Sequence, residues 1–114
     1  MKTVRVVLSD EAREVYEYLN ERAPNSKIER SLLNAIENKK NRIKANPHYG
    51  ESIPKKQIPA EYIQKYGVNN LFWVSLPSFW RMLYTLTASG EVEIVAFVLD
   101  ILDHDKYNKK FGYR

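Results

Sequence analysis

Apolar and polar residues alternate through "TVRVVL" (3–8), which is β-branched and short and so predicts a strand. The period then changes. In "SDEAREVYEYLNERA" (9–23), Ala12, Val15, Tyr16, Leu19 and Ala23 recur at three- and four-residue spacing, which predicts a helix. Ser9 or Asp10 can cap it, and Asp10, Glu11 and Glu14 lie near its positive end. "APNS" breaks the pattern. Ser26 and Glu29 then fit the S-x-x-E capping box of a second helix, whose apolar stripe is Ile28, Leu32, Ala35, Ile36 and Ile43. "NPHYG" (46–50) ends it. Two helices joined by a short turn predict a helical hairpin.

Between residues 47 and 70 the periodicity fades among three prolines and two glycines. This predicts a long connection with one turn of helix within 59–67; a connection of that length in a small domain is commonly functional. The last third is β-rich. "NLFWVSLP" (70–77) and "WRMLYTLT" (80–87) predict strands separated by Pro77, Ser78 and Phe79, with a turn at 88–90. "EVEIVAFVLDIL" (91–102) is the most continuous apolar run, which predicts a central strand covered on at least one face. The order β-α-α-β-β-β with a C-terminal segment predicts an α+β domain, a curved sheet with the helix pair on one face.

Composition adds bounds. The chain's 114 residues predict a single domain over 1–114, and 44% hydrophobic with 28% charged residues fits a globular class. The absence of cysteine excludes disulfides and thiolate chemistry. The N-terminal stretch lacks an apolar signal core and no apolar run is long enough to span a membrane, which predicts a cytoplasmic protein without a membrane partner. The net charge of +4 is unevenly spread. Residues 38–66 carry seven basic against two acidic groups and residues 106–114 carry four against none. Brought together, these blocks would suit phosphates or an acidic protein. The cations Lys39, Lys40, Arg42 and Lys44 also suit the end of a helix dipole.

No glycine-rich phosphate loop, nucleophile elbow or H-E-x-x-H pair is present. His48 and His104 are too few and too far apart to define a metal site, and Asp100, Asp103 and Asp105 read as carboxylates ending a strand. Arg81 is the one basic residue in 67–105 and lies inside a predicted strand. Alternation sets Arg81, Leu83 and Thr85 on one face, and Trp80, Met82, Tyr84 and Leu86 on the other. Such an arginine either covers apolar surface with its stem or presents a guanidinium to phosphate. Lys55 and Lys56 lie between prolines, which restrict the local backbone. His104 and Tyr107 share a face if their segment is helical, and an imidazole can take or give a proton.

Taken together, "LPSFWRMLYTLTASGEVEIVAFVLDILDHDKYNKKFGY" (76–113) resembles the RelE/ParE toxin superfamily of type II toxin–antitoxin systems, and most closely RelE-type translational toxins in a version associated with archaea. The resemblance extends over nearly the whole chain. Arg81, Glu91, the run 92–102, His104 and Tyr107 stand where the family has its strand arginine, acidic turn residue, apolar strand, histidine segment and tyrosine. It implies a helical hairpin on a curved, mainly antiparallel sheet. It also implies a metal-free, cofactor-free endoribonuclease that cleaves messenger RNA in the ribosomal A site. In that chemistry the 2′-hydroxyl attacks the adjacent phosphate, so a base, an acid and charge-stabilising cations are needed. Carried over by position, Arg81 would stabilise the phosphate, Lys55 or Lys56 would act as base or stabiliser, and His104 and Tyr107 would be the acid/base pair. Lys39, Lys40, Arg42, Lys44, Lys109, Lys110, Tyr113 and Arg114 would contact RNA or the ribosome. The implied partners are the ribosome, messenger RNA and a cognate antitoxin. Many relatives carry a second arginine on the preceding strand; here that strand reads "NLFWVSLP". A ParE-type gyrase inhibitor without catalytic residues, and a catalytically weak RNA- or protein-binding relative, are the alternatives.

Overall fold

The computed structural model describes residues 3–90 and 93–112. Glu91, Tyr113 and Arg114, three of the residues singled out above, lie outside the described residues. The chain is α+β. It runs β1 (Thr3–Leu8), α1 (Asp10–Arg22), α2 (Lys27–Ala45), β2 (Glu51–Ser52), α3 (Ala60–Tyr66), β3 (Phe72–Ser75), β4 (Arg81–Ser89), β5 (Glu93–Leu102) and α4 (His104–Phe111). The five strands form one mixed sheet in the order β1-β5-β4-β3-β2. β1 lies parallel to β5, and the other pairs are antiparallel.

The hairpin forms where the 3.6-residue pattern places it. Ser9 caps α1, its hydroxyl accepting from the Ala12 amide at 3.0 Å. The second cap differs from expectation. The Ser26 hydroxyl meets the Glu29 carboxylate directly and makes no bond to the helix backbone, so the reciprocal capping box is not formed. Ile28 also leaves the expected stripe: in the first turn of α2 it is 60% exposed, whereas Leu32, Ile36 and Ile43 are buried. The pair packs on one face of the sheet, with Ala12, Leu19, Leu32 and Ile36 in one core with Met82, Tyr84, Ala96 and Val98.

The opposite face is covered as well. Ile53, Ile58, Tyr62 of α3 and Tyr107 of α4 form a second core with Leu83, Leu99 and Leu102. This explains the unbroken apolar run of β5: a central strand buried on both faces has no polar side. The connection 47–70 is therefore more structured than its lack of periodicity predicts. It contributes an edge strand and a two-turn helix, and it is tied inward by Tyr84. The Tyr84 hydroxyl donates to the Pro47 carbonyl at 2.8 Å and accepts from the Gly50 amide at 2.9 Å. A Cβ at Gly50 would meet the Trp73 carbonyl and the Tyr84 ring at 2.9 Å, so only glycine allows this approach.

β5 carries one irregularity. Tyr84 pairs with Val98 and Leu83 with Asp100, which leaves Leu99 as an extra residue, a β-bulge. The Ser9 hydroxyl donates to the Leu99 carbonyl at 2.7 Å and satisfies the group the ladder leaves open. Past the bulge, both Leu99 and Asp100 contact the face that α3 and α4 cover. No helix among the described residues is long and apolar enough to cross a membrane.

Candidate functional site

Arg81 opens β4 directly after the β3–β4 turn, opposite Ser75 of β3 and Leu102 of β5. Alternation puts it on the α3/α4 face, as the strand pattern predicts. The turn that delivers it is tight. The Leu76 amide donates to the Trp80 carbonyl at 2.8 Å, and Pro77 starts a single 3₁₀ turn. Two successive non-glycine residues inside it, Ser78 and Phe79, have φ of 59° and 64°. Left-handed backbone costs such residues roughly 1–2 kcal/mol each.

The guanidinium lies over two rings, with its carbon 4.1 Å from the Trp73 ring centroid and 4.4 Å from that of Tyr107. Trp73 arrives from β3, paired with Leu83 and so on the same face. Tyr107 arrives from α4, which follows β5 almost without a loop. Asp103 caps α4 by accepting from the Lys106 amide at 2.9 Å. With Asp103 as the cap, His104 is the first helical residue, and Tyr107 lies one turn on. Among the described residues Arg81 makes no hydrogen bond or ion pair. A planar guanidinium held by its faces keeps its N–H edges for a planar or tetrahedral anion.

Trp73, Ser75, Phe79, Trp80, Arg81 and His104 line a cleft of about 370 Å³. His104 is exposed there, its ring centroid 6.0 Å from that of Phe79. Its Nε2 lies 3.1 Å from the Asn108 side-chain nitrogen. Tyr107 is the other acid/base position that the resemblance implies. It is 4% exposed, with its ring stacked on Phe111 at 4.5 Å as well as under Arg81.

A second cleft, of about 230 Å³, adjoins the first and shares Trp73 and Ser75 with it. It is lined on its far side by Lys39 and Tyr49. Lys39 donates to the Tyr49 hydroxyl at 3.3 Å, and Arg42 lies 6.0 Å from the same ring. The fold thus brings the end of α2 toward the Arg81 cleft. Lys40 is turned to the hairpin, where it pairs with Glu37 at 3.4 Å, and Lys44 is exposed. Lys55 and Lys56 are exposed on a 3₁₀ turn between Ile53 and Ile58, both anchored in the Tyr107 core. Among the described residues, neither lysine lines the Arg81 cleft.

The C-terminal cations divide. Lys109 is exposed. Lys110 is drawn inward and pairs with Glu61 at 2.9 Å and Asp100 at 3.2 Å, over the Tyr62 ring. Asp100 also accepts from the Tyr62 hydroxyl at 2.6 Å. Burial alone would lower the Lys110 pKa, but the two carboxylates outweigh it and raise it. Burial, reinforced by Asp100, pushes the Tyr62 phenol well above its usual range. Lys110 is therefore committed to holding α3 and α4 together. Of the three aspartates, Asp100 joins this network, Asp103 is a helix cap, and Asp105 is exposed in the first turn of α4.

Two aromatic residues of the cleft, Trp73 and Phe79, carried no sequence expectation. Trp73 could have been placed by pairing the two strands around Pro77, since alternation then sets it beside Arg81. Phe79 is signalled by "SFW": Trp80 takes the buried side, so an adjacent ring in the turn is left outside. Comparison with protein-family models, curated proteins and solved structures finds no match.

Proposed function

We propose that this chain is a RelE-type toxin: an α+β domain that inhibits translation by cutting messenger RNA in the ribosomal A site. The observation that carries the reading is Arg81, a cation without a counter-ion among the described residues, stacked over Trp73 and Tyr107 in a cleft it shares with His104. Phosphodiester cleavage through the 2′-hydroxyl builds negative charge on the phosphate, and a guanidinium fixed on a strand stabilises it without reorganising. His104 is the exposed proton-transfer group of the cleft. Tyr107 supports the reading as a positioning residue, because its ring is the surface on which Arg81 rests. Trp73 takes a comparable part from the strand where relatives carry a second arginine. Lys39, Arg42, Lys55, Lys56 and Lys109 are the cations open to ribosomal or messenger RNA phosphates, and an acidic antitoxin segment would cover the same surface.

The test adds purified protein to a translation system and maps messenger RNA cuts on programmed ribosomes. Cuts confined to the A-site codon are expected, and Arg81→Ala is expected to slow them by about a hundredfold. Full translation with uncut messenger RNA defeats the reading, and a wild-type cutting rate for Arg81→Ala removes that residue from the site. Gyrase supercoiling measured with the same protein is expected to be unchanged; inhibition there would favour the ParE-type alternative.

A further inference from the structure

The β3–β4 turn exposes an aromatic ring at a conformational cost, beside Arg81, which has no ion-pair partner among the described residues. Phe79 is 78% exposed, the most exposed of the large hydrophobic residues described. Its φ of 64° is a conformation that glycine or asparagine adopts readily and a bulky side chain does not. The preceding Ser78 is left-handed too. A ring so open contributes little to the core, so neither burial nor backbone preference accounts for phenylalanine here. What the ring does have is neighbours. His104 touches it from α4, and Arg81, two residues along, lines the same cleft.

We propose that Phe79 is a nucleobase-stacking platform: a base of single-stranded RNA stacks on its ring while the adjoining phosphate lies against Arg81. The assignment rests on the RNA-cleaving reading above and deepens it. An aromatic face beside a guanidinium matches the alternation of base and phosphate along a single strand. Stacking is tolerant of base identity, so Phe79 fixes register and affinity, and discrimination between codons falls to other contacts. A protein partner contacting the same ring is the competing outcome.

The experiment uses the full chain and ribosomes programmed with a message whose A-site codon holds a fluorescent adenine analogue. The 2′-hydroxyl at the scissile position is replaced by hydrogen, so that binding is read without cutting. Wild-type protein should change the analogue's emission on binding. Phe79→Asn, which suits the left-handed backbone but lacks the ring, should weaken binding about tenfold. Phe79→Trp should bind as wild type. With an abasic nucleotide at the same position, wild type and Phe79→Asn should bind equally. Thermal unfolding of Phe79→Asn controls for the fold and should show a midpoint no lower than wild type. Equal binding of wild type and Phe79→Asn to the intact message would overturn the assignment and give the ring to a protein partner. A wild-type protein that neither binds nor cuts the message defeats the RNA reading itself, and the assignment with it.

Discussion

The two faces of the sheet are built by different rules. The face under α1 and α2 is a mainly aliphatic core, with Phe72 and Tyr84, packed on helices with clear periodicity. The face under α3 and α4 mixes Leu83 and Leu99 with Asp100, Tyr62, Lys110, Arg81 and Tyr107. Among the described residues no buried side-chain polar atom on either face lacks a partner. The contrast teaches where stability and chemistry reside. The first face is closed by the hairpin, and at its rim Leu76 and Trp80 border the cleft. The second holds its two short helices by a charged network and leaves one cation, Arg81, turned to a cleft.

Substitutions should separate the two faces, beginning with the largest loss of stability. Ile36→Ala opens a cavity at a fully buried position and should cost about 4 kcal/mol in urea unfolding. The folded fraction should still cut RNA at its normal rate. Asp100→Ala leaves Lys110 with Glu61 alone and removes the buried Tyr62 hydroxyl's partner, so a loss of about 2 kcal/mol is expected. Here cutting should fall as well, because α4 carries His104 and Tyr107; unchanged activity would show that the network does not position α4. Arg81→Ala should reverse the ratio, costing only about 1 kcal/mol of stability for its two ring contacts while removing most of the activity. The smallest effect concerns Glu11, which joins α1 to α3 through Lys65 and Tyr66. These hydrogen bonds hold the Glu11 carboxyl at about 2, from an ordinary 4.5. A depressed carboxyl stabilises above its unfolded value and loses that stabilisation as pH falls toward the folded one. The melting-temperature gap between wild type and Glu11→Gln should therefore shrink between pH 5 and pH 2. Salt should shrink it further, since the pair is exposed. A gap that ignores both would remove this clasp from the account.

The first face was largely legible in the chain. Period 3.6 placed α1 and α2, and alternation placed β1, β4 and the side of the sheet on which Arg81 stands. The second face was not, for identifiable reasons. α3 is seven residues long and buries only Tyr62 among them, too little to show a period. In β5 both faces are buried, so between Glu93 and Asp100 no polar residue marks the phase and the bulge at Leu99 is invisible. The commitment of Lys110 depends on Glu61 and Asp100, which are 49 and 10 residues away along the chain. By charge alone Lys110 and Lys109 look alike; only the fold separates the anchored cation from the open one.

The extra residue at Leu99 also divides β5 into two frames. Upstream it keeps step with β1, which ends its pairing at Val98; downstream it keeps step with the start of β4. β1 pairs with none of the residues past the bulge, where Leu102 hands over to α4 and to His104, although Ile101 there still packs in the hairpin core. The cleft end of the sheet thus has a register of its own, offset by one residue from the end that β1 completes.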